Sequence, residues 1–332
     1  MLKDALGFGS LNLDEFWEVP RGFLESWGLS LGCEYVRDVN WFKDFYPELE
    51  AKGILRGIDP GGSAANMIAA LRKMDFETGF IGAVGRDDVT QLRLSDLGQP
   101  SNLRISFAEI PSGRCLALLC REDPQKDRVL VILPNANDRA GLEGVDSEFV
   151  SQFRWLHMTS FVSLLPLESQ IELVVRLSGR ISVSFDPGPI YCCLGIEVLK
   201  PILQASQILF VTEEELALLT GMQDTGSGAE SIMDLGTHTL VIKKGAAGIQ
   251  VVTRDKIFLG TPPIPAKVVD RTGAGDVVAA GFIAGLLLGA ELETCAELAL
   301  AAAAKSVQGY GRSAYPDRRI IQEIMNNKRT SA

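Results

Sequence analysis

The chain predicts a doubly wound α/β fold, a mainly parallel sheet carrying a small β-rich lid, on three observations. From about residue 150 onward, short apolar strands (RWLHMTSF, ISVSFDPG, SQILFVTEEE, TLVIKKG) alternate with helical stretches. That alternation is the signature of a sheet covered by helices on both faces. Two segments, about 15–58 and 104–135, break it: the first is aromatic-rich with no single period, and the second has hairpin character. Two glycine-rich turns, at residues 60–66 and 270–276, each open a helical pattern. The expectation is one α/β domain over residues 1–332, with the two inserted segments forming the lid.

The elements follow in order. GFGSLNLD, residues 7–14, reads as a first strand whose tip carries Asn12 and Asp14. Within the first excursion DVNWFKDFYPELEAKG contains a helix that stops near Gly53, and Asp59 to Gly62 mark a turn. A helix runs from Ser63 to Met74, and ETGFIGAVGRDD is a strand ending in a glycine loop. RISFAEIPSGRCLALLC and RVLVILPN read as a hairpin region with Pro111, Ser112 and Gly113 supplying the turn. Two C-terminal helices, Gly275–Leu288 and about Glu291–Val307, lie back to back, the second alanine-rich and suited to close packing. Trp17, Phe23 and Trp41 are weighed for stacking on a nucleobase, with packing inside the lid the preferred role.

Composition removes several classes of function. Lys plus Arg number 32 and Asp plus Glu 42, a net charge of −10, with no basic stretch dense enough to track a phosphate backbone, so nucleic-acid binding is not expected. The apolar run Val277–Ala290 holds 14 uncharged residues, fewer than the roughly 18 of a membrane helix, and reads as a buried core helix. MLKDALGFGS lacks the layout of a secretory leader, which gives the cytoplasm as the expected compartment. Six cysteines include no CxxC pair, and the two histidines, His157 and His238, sit in no metal-binding or nucleophile motif. GFGS near the first strand is not followed by the third glycine of a dinucleotide fingerprint, and no GxxxxGK[ST] occurs.

The sharpest local signal is DRTGAGD, Asp270–Asp276, between the strand-like AKVV and an all-apolar helix. Gly273 and Gly275 remove side chains, so that the backbone N–H groups of Ala274, Gly275 and Asp276 can approach an oxyanion at a helix N-terminus. Asp276 is then placed to take a proton from an attacking hydroxyl; the plainer alternative is a helix N-cap. A second glycine turn, PGGSAAN at Pro60–Asn66, opens another helix.

Here a resemblance becomes specific. GGSAAN with FIGAVGRDD, and DRTGAGDVVAAGF near the C-terminus, closely resemble the two signature regions of the ribokinase/PfkB carbohydrate kinase family, in the same order and at similar separation. GSLNLD, VTEEELALLTG, VIKKGAAG and AAKSVQGYGRSAYP resemble further family segments, so the likeness spans nearly the whole chain, with adenosine-kinase-like features in the lid region. It implies an ATP-dependent kinase that phosphorylates a primary hydroxyl of a sugar or nucleoside, with Asp276 as general base and Gly273, Ala274 and Gly275 as anion hole. Asn12, Asp14, Gly62 and Asn66 are implied as substrate-hydroxyl contacts, and Lys243, Gly245, Gly248 and Thr212 as nucleotide-side residues. Glu215 is implied to orient water on Mg²⁺, with Thr212 standing where the family has Asn, and Asp270 with the Thr272 carbonyl to hold K⁺. The alternative carried alongside is a sugar or nucleotide sensor that kept the fold and lost turnover. The expected partner is the small-molecule substrate alone, on a monomer or homodimer.

Overall fold

Fourteen strands build two sheets among the described residues, which in this computed structural model are 2–86, 94–123, 128–177, 179–264 and 267–331. Asp87 and Asp88 of the FIGAVGRDD segment lie outside them. The strands are β1 (Lys3–Phe8), β2 (Asn12–Val19), β3 (Glu34–Val36), β4 (Ile54–Gly61), β5 (Thr78–Gly85), β6 (Leu103–Ala108) and β7 (Gly113–Cys120). They continue as β8 (Arg128–Leu133), β9 (Phe153–Thr159), β10 (Ser182–Asp186), β11 (Ile208–Thr212), β12 (Thr239–Lys243), β13 (Ile249–Val252) and β14 (Ile257–Gly260).

The large sheet has the order β14-β13-β12-β11-β10-β9-β1-β5-β6. It is parallel from β12 to β6, and β13 and β14 close one edge antiparallel. Its helices are α3 (Ser63–Lys73), α4 (Leu164–Leu177), α5 (Gly195–Ala205), α6 (Glu213–Thr220), α7 (Thr225–Leu235), α8 (Ala274–Leu287), α9 (Leu292–Ser306) and α10 (Arg319–Ser331), after α1 (Arg21–Ser26) and α2 (Val39–Lys52) of the lid. Two apolar clusters lie on its opposite faces, one built with α3, α8 and α9 and the other with α4 to α7. The run expected to be a buried helix is α8, with ten buried side chains or glycines from Val277 to Leu287.

The small sheet has the order β3-β8-β7-β2-β4. Side chains alternate along its strands. Trp17, Leu116, Leu118, Val129 and Val131 cover one face and pack with Phe23, Phe45 and Leu49 of α1 and α2. Asn12, Asp14, Cys115 and Ile132 belong to the other face, toward the large sheet.

Three expectations need correction. Asn12 and Asp14 are not at the tip of the first strand: β1 ends at Phe8, and Asn12 begins β2 in the small sheet. Asp59 to Gly61 are the end of β4, antiparallel to β2, and only Gly62 turns the chain. Leu103–Ala108 pairs in parallel with β5 in the large sheet, so the hairpin of the lid is β7–β8, and Pro111 and Ser112 lie in the crossing between sheets while Gly113 opens β7. The period-two pattern is the same in either sheet, so the sequence did not separate them. The preferred role of Trp17, Phe23 and Trp41, packing inside the lid, holds: they lie in the cluster beneath α1 and α2, where Trp41 stacks on Phe45 at 4.2 Å between ring centroids, and none of them lines the cleft between the sheets.

Candidate active site

The cleft between the two sheets holds a polar cavity of about 380 Å³, and a second, apolar cavity of about 380 Å³ adjoins it. Lys243, Arg271 and Gly275 line both. The carboxyl ends of the parallel strands and the start of α8 converge on this junction, where open α/β sheets bind ligands.

Asp276 stands in the first turn of α8, whose N-cap is Gly273 in the left-handed region (φ 75°), with no side-chain cap. The capping role therefore falls away. The Asp276 carboxylate instead accepts a hydrogen bond from Asn66 Nδ2 at 2.9 Å. Of the expected anion-hole donors, Ala274 N–H is spent on the Arg271 carbonyl at 3.2 Å. The amides of Gly275 and Asp276 belong to the helix start that carries orphan donors.

Asp14 and Asn66 come from different elements and are both 7% exposed. Burial pushes the Asp276 carboxyl up to about 7, although the Asn66 hydrogen bond pulls it down. Burial also pushes Asp14 up to about 7, against the pull of Arg312, and the Asp276 charge raises it further. Asp14 Oδ1 is buried with no hydrogen-bond partner among the described residues, an acceptor awaiting a donor. Asn12 is less available than expected, because its Oδ1 accepts from Asn137 Nδ2 at 2.7 Å while Asn137 Oδ1 takes the Leu11 N–H at 2.8 Å. Gly62 has φ 98°, and a Cβ there would overlap the Ser10 carbonyl, so glycine is required where the chain turns into α3. Asn66 differs from the expected hydroxyl contact: its Nδ2 goes to Asp276 and its Oδ1 accepts from Arg312 Nε at 3.1 Å.

The nucleotide-side residues separate into two groups. Lys243, Gly245 and Gly248 line the apolar cavity, together with Ile249, Val278 and Leu300. Thr212 lines neither cavity. It is the N-cap of α6, closing a capping box in which Thr212 N–H donates to Glu215 Oε2 at 2.7 Å and Glu215 N–H donates to Thr212 Oγ1 at 3.1 Å. Threonine in place of asparagine thus serves the helix start, and it fixes Glu215. Lys243 Nζ lies 2.6 Å from Asp186 Oδ2 and 3.9 Å from Glu215 Oε2. Burial alone would lower the Lys243 ammonium, yet these two carboxylates hold it well above the ordinary lysine value. Asp270 Oδ1 accepts from Thr272 N–H at 3.0 Å and Thr272 Oγ1 at 2.8 Å, while its buried Oδ2 has no hydrogen-bond partner among the described residues.

Three residues of this region escaped the sequence reading: Asp186, Asn137 and Arg312. Asp186 ends β10 in FDPG, and a strand-end acid before a proline was a usable signal. Asn137 sits in the short helix after β8, where no local pattern marks it, and Arg312 in an irregular turn inside AAKSVQGYGRSAYP, a segment whose family likeness did not single it out. His157 is buried against Ser184 Oγ at 2.9 Å, and neither histidine lines the two cavities.

Comparison with known proteins places this geometry in a family. The model for the pfkB family carbohydrate kinases matches residues 24–318. A protein of Archaeoglobus fulgidus described as an uncharacterized sugar kinase is 30% identical over 244 residues, 73% of this chain and 95% of that protein. The ATP-dependent ribose-1-phosphate kinase of Halopiger xanaduensis is 28% identical over 293 residues, 88% and 95% of the two chains. The crystal structure of an adenosine kinase from Sinorhizobium meliloti superposes with a TM-score of 0.83 at 19% identity, covering 100% of both chains, which shows the ribokinase-like fold. These likenesses favour turnover over the sensor alternative. The chain belongs to the pfkB family of carbohydrate kinases, phosphotransferases that act on an alcohol group of a sugar or nucleoside.

Proposed function

We propose that the protein transfers the γ-phosphoryl group of ATP to a primary hydroxyl of a nucleoside, with Asp276 as general base. The observation that carries the reading is the junction itself: a half-buried carboxylate, held by Asn66 at the start of α8, that lines the polar cavity where the apolar one adjoins it. The acceptor's hydroxyls meet Asp14 and Asn12 in the polar cavity, and Asp14 Oδ1 is a buried acceptor with capacity to spare. Asp276 then takes the proton of the attacking hydroxyl as the phosphoryl group arrives in line, a role worth about a hundred- to ten-thousandfold in rate. The Gly275 and Asp276 amides with the α8 dipole face the developing charge. Closure of the small sheet excludes water, which would otherwise compete as acceptor.

The rest of the polar cavity favours a nucleoside over a bare sugar. Leu130, Ile132, Phe161 and Ile190 supply apolar surface for a base, and Glu34 and Arg128 supply polar groups for its edge. A pentose 1-phosphate is the second reading, supported by Arg128 and by the Halopiger relative.

Magnesium fits the donor set as a hydrated ion. Among the described residues no cluster of three acidic, histidine or cysteine side chains could hold a bare ion, whereas Glu215, fixed by the capping box, can take a metal-bound water. When bound, Mg²⁺ neutralises charge on the phosphate oxygens. A monovalent cation such as K⁺ fits the orphaned Asp270 Oδ2, with the Thr272 carbonyl as second ligand. All six cysteines are free thiols, in keeping with a cytoplasmic setting. The test is coupled ADP release with ATP and Mg²⁺ over a panel of nucleosides, ribose, ribose 1-phosphate and fructose. Turnover confined to nucleosides is expected; turnover on ribose 1-phosphate alone favours the second reading, and none on any member rejects both.

A further inference from the structure

We propose that Arg312, which no motif singles out, is a positioning residue for phosphoryl transfer. Its guanidinium decides which end of the Asn66 amide meets Asp276, and it supplies the counter-charge that lets Asp14 and Asp276 work as two carboxylates in one cavity. The inference rests on the assignment of Asp276 as base.

An asparagine amide has two ends of nearly equal size and opposite hydrogen-bonding character. If its oxygen faced the Asp276 carboxylate, lone pairs would meet; with its NH₂ there, the carboxylate gains a donor. Arginine carries donors only, so the 3.1 Å bond from Arg312 Nε to Asn66 Oδ1 fixes the oxygen away from Asp276 and turns Nδ2 toward it at 2.9 Å. A rigid chain of three side chains thus runs from the C-terminal turn through α3 to the start of α8.

The charge argument is independent of that chain. Arg312 is 7% exposed and bears on Asp14, Asp59 and Asp276, lowering all three. The other charged or titratable groups that act on Asp276 or Asp14 are Asp186 and Lys243 from the large sheet, Asp59 from β4 and Asp270 before α8. Tyr315, whose hydroxyl lies beside Gly273, also faces Asp276 and Asp14, and Asp96 lies beside Arg312 Nη1. Lys243 is 2.6 Å from Asp186 and thus largely committed, so Arg312 is the cation that serves Asp14.

The turn is built to hold it. Arg312 N–H donates to Asp59 Oδ2 at 3.2 Å, its carbonyl accepts from Lys73 Nζ at 3.4 Å, and Gly311 (φ 50°) leaves no room for a Cβ against the Asp59 carboxylate. The Arg312 Nη1 and Nη2 groups make no hydrogen bond among the described residues, though Nη1 lies 3.8 Å from Asp96 Oδ2. Arg312 lines a separate cavity of about 320 Å³ with Ala69, Arg72, Lys73, Asp96 and Tyr315. That cavity gives a small cation access to the position.

The experiment is the pH dependence of kcat/KM for Arg312→Gln, Arg312→Lys and Asp276→Asn beside the wild type, with guanidinium rescue tried on Arg312→Ala. In Arg312→Gln the acidic limb moves to higher pH by about one unit or more, the KM for ATP stays near wild type, and added guanidinium ion restores part of the rate to Arg312→Ala. Arg312→Lys keeps the limb near its wild-type place and loses about tenfold in kcat, because a point charge does not reproduce the fork. A folded Arg312→Gln with an unmoved limb overturns the charge claim, and wild-type kcat in Arg312→Lys overturns the orientation claim even if Arg312→Gln does not fold. If Asp276→Asn still turns over, the base assignment fails; if it is inactive while both Arg312 variants behave as wild type, only the inference about Arg312 fails.

Discussion

The two cavities that meet at Lys243 and Gly275 are equal in size and opposite in chemistry. The polar cavity holds Asp14, Asp186, Glu215 and Asp276, and the apolar cavity is lined mainly by apolar side chains and glycine backbone. Buried carboxylates are costly to ionise, and both Asp14 and Asp276 are pushed up to about 7 by burial. On the proposed reading the polar cavity is the acceptor side, which sacrifices stability for directional contacts to hydroxyls, and the apolar cavity is the nucleotide side, which binds by burial and shape. Substitutions on the first side should change chemistry and acceptor choice; on the second they should change ATP affinity.

The largest effect expected is from Asp276→Asn, a loss of about a hundred- to ten-thousandfold in kcat in the ADP-release assay. Asp14→Ala should cost about ten- to a hundredfold in kcat/KM for the acceptor, the value of a hydrogen bond to a charged group, and leave the KM for ATP unchanged. On the opposite side, Ala304→Trp fills the apolar cavity and should raise the KM for ATP about tenfold with little change for the acceptor. If each of these two moved both KM values alike, the division of labour would be wrong.

The smallest effect is on stability. The Asp276 carboxyl rises from an ordinary 3.8 to about 7 on folding, so the native chain holds this proton more tightly than the unfolded one. Its contribution is complete below about pH 4 and is lost as the pH rises through 7. Asp276→Asn should therefore melt higher than wild type at pH 8, by several degrees, with the difference fading toward pH 4.

The same contrast governs how much the sequence disclosed. The large sheet was legible because continuous apolar strands and an all-apolar helix after DRTGAGD leave one arrangement that buries them. Glycines at helix starts marked both turns of the site. The allocation of Leu103–Ala108 to the large sheet was hidden, because alternation looks alike in both sheets. The roles of Asn66 and Thr212 were displaced by partners far away or beneath them: Arg312 lies 246 residues from Asn66, and Thr212 is spent on a capping box. Residues whose role depends on a distant partner carry no local signal.

The most direct test of the central claim is the pH profile of wild-type kcat/KM for the acceptor between pH 5 and 9. With Asp14 and Asp276 both required as carboxylates and both raised to about 7, the rate should fall at least tenfold per pH unit below about 7 and level off above it. A profile that stays flat down to pH 5 would contradict a buried carboxylate base.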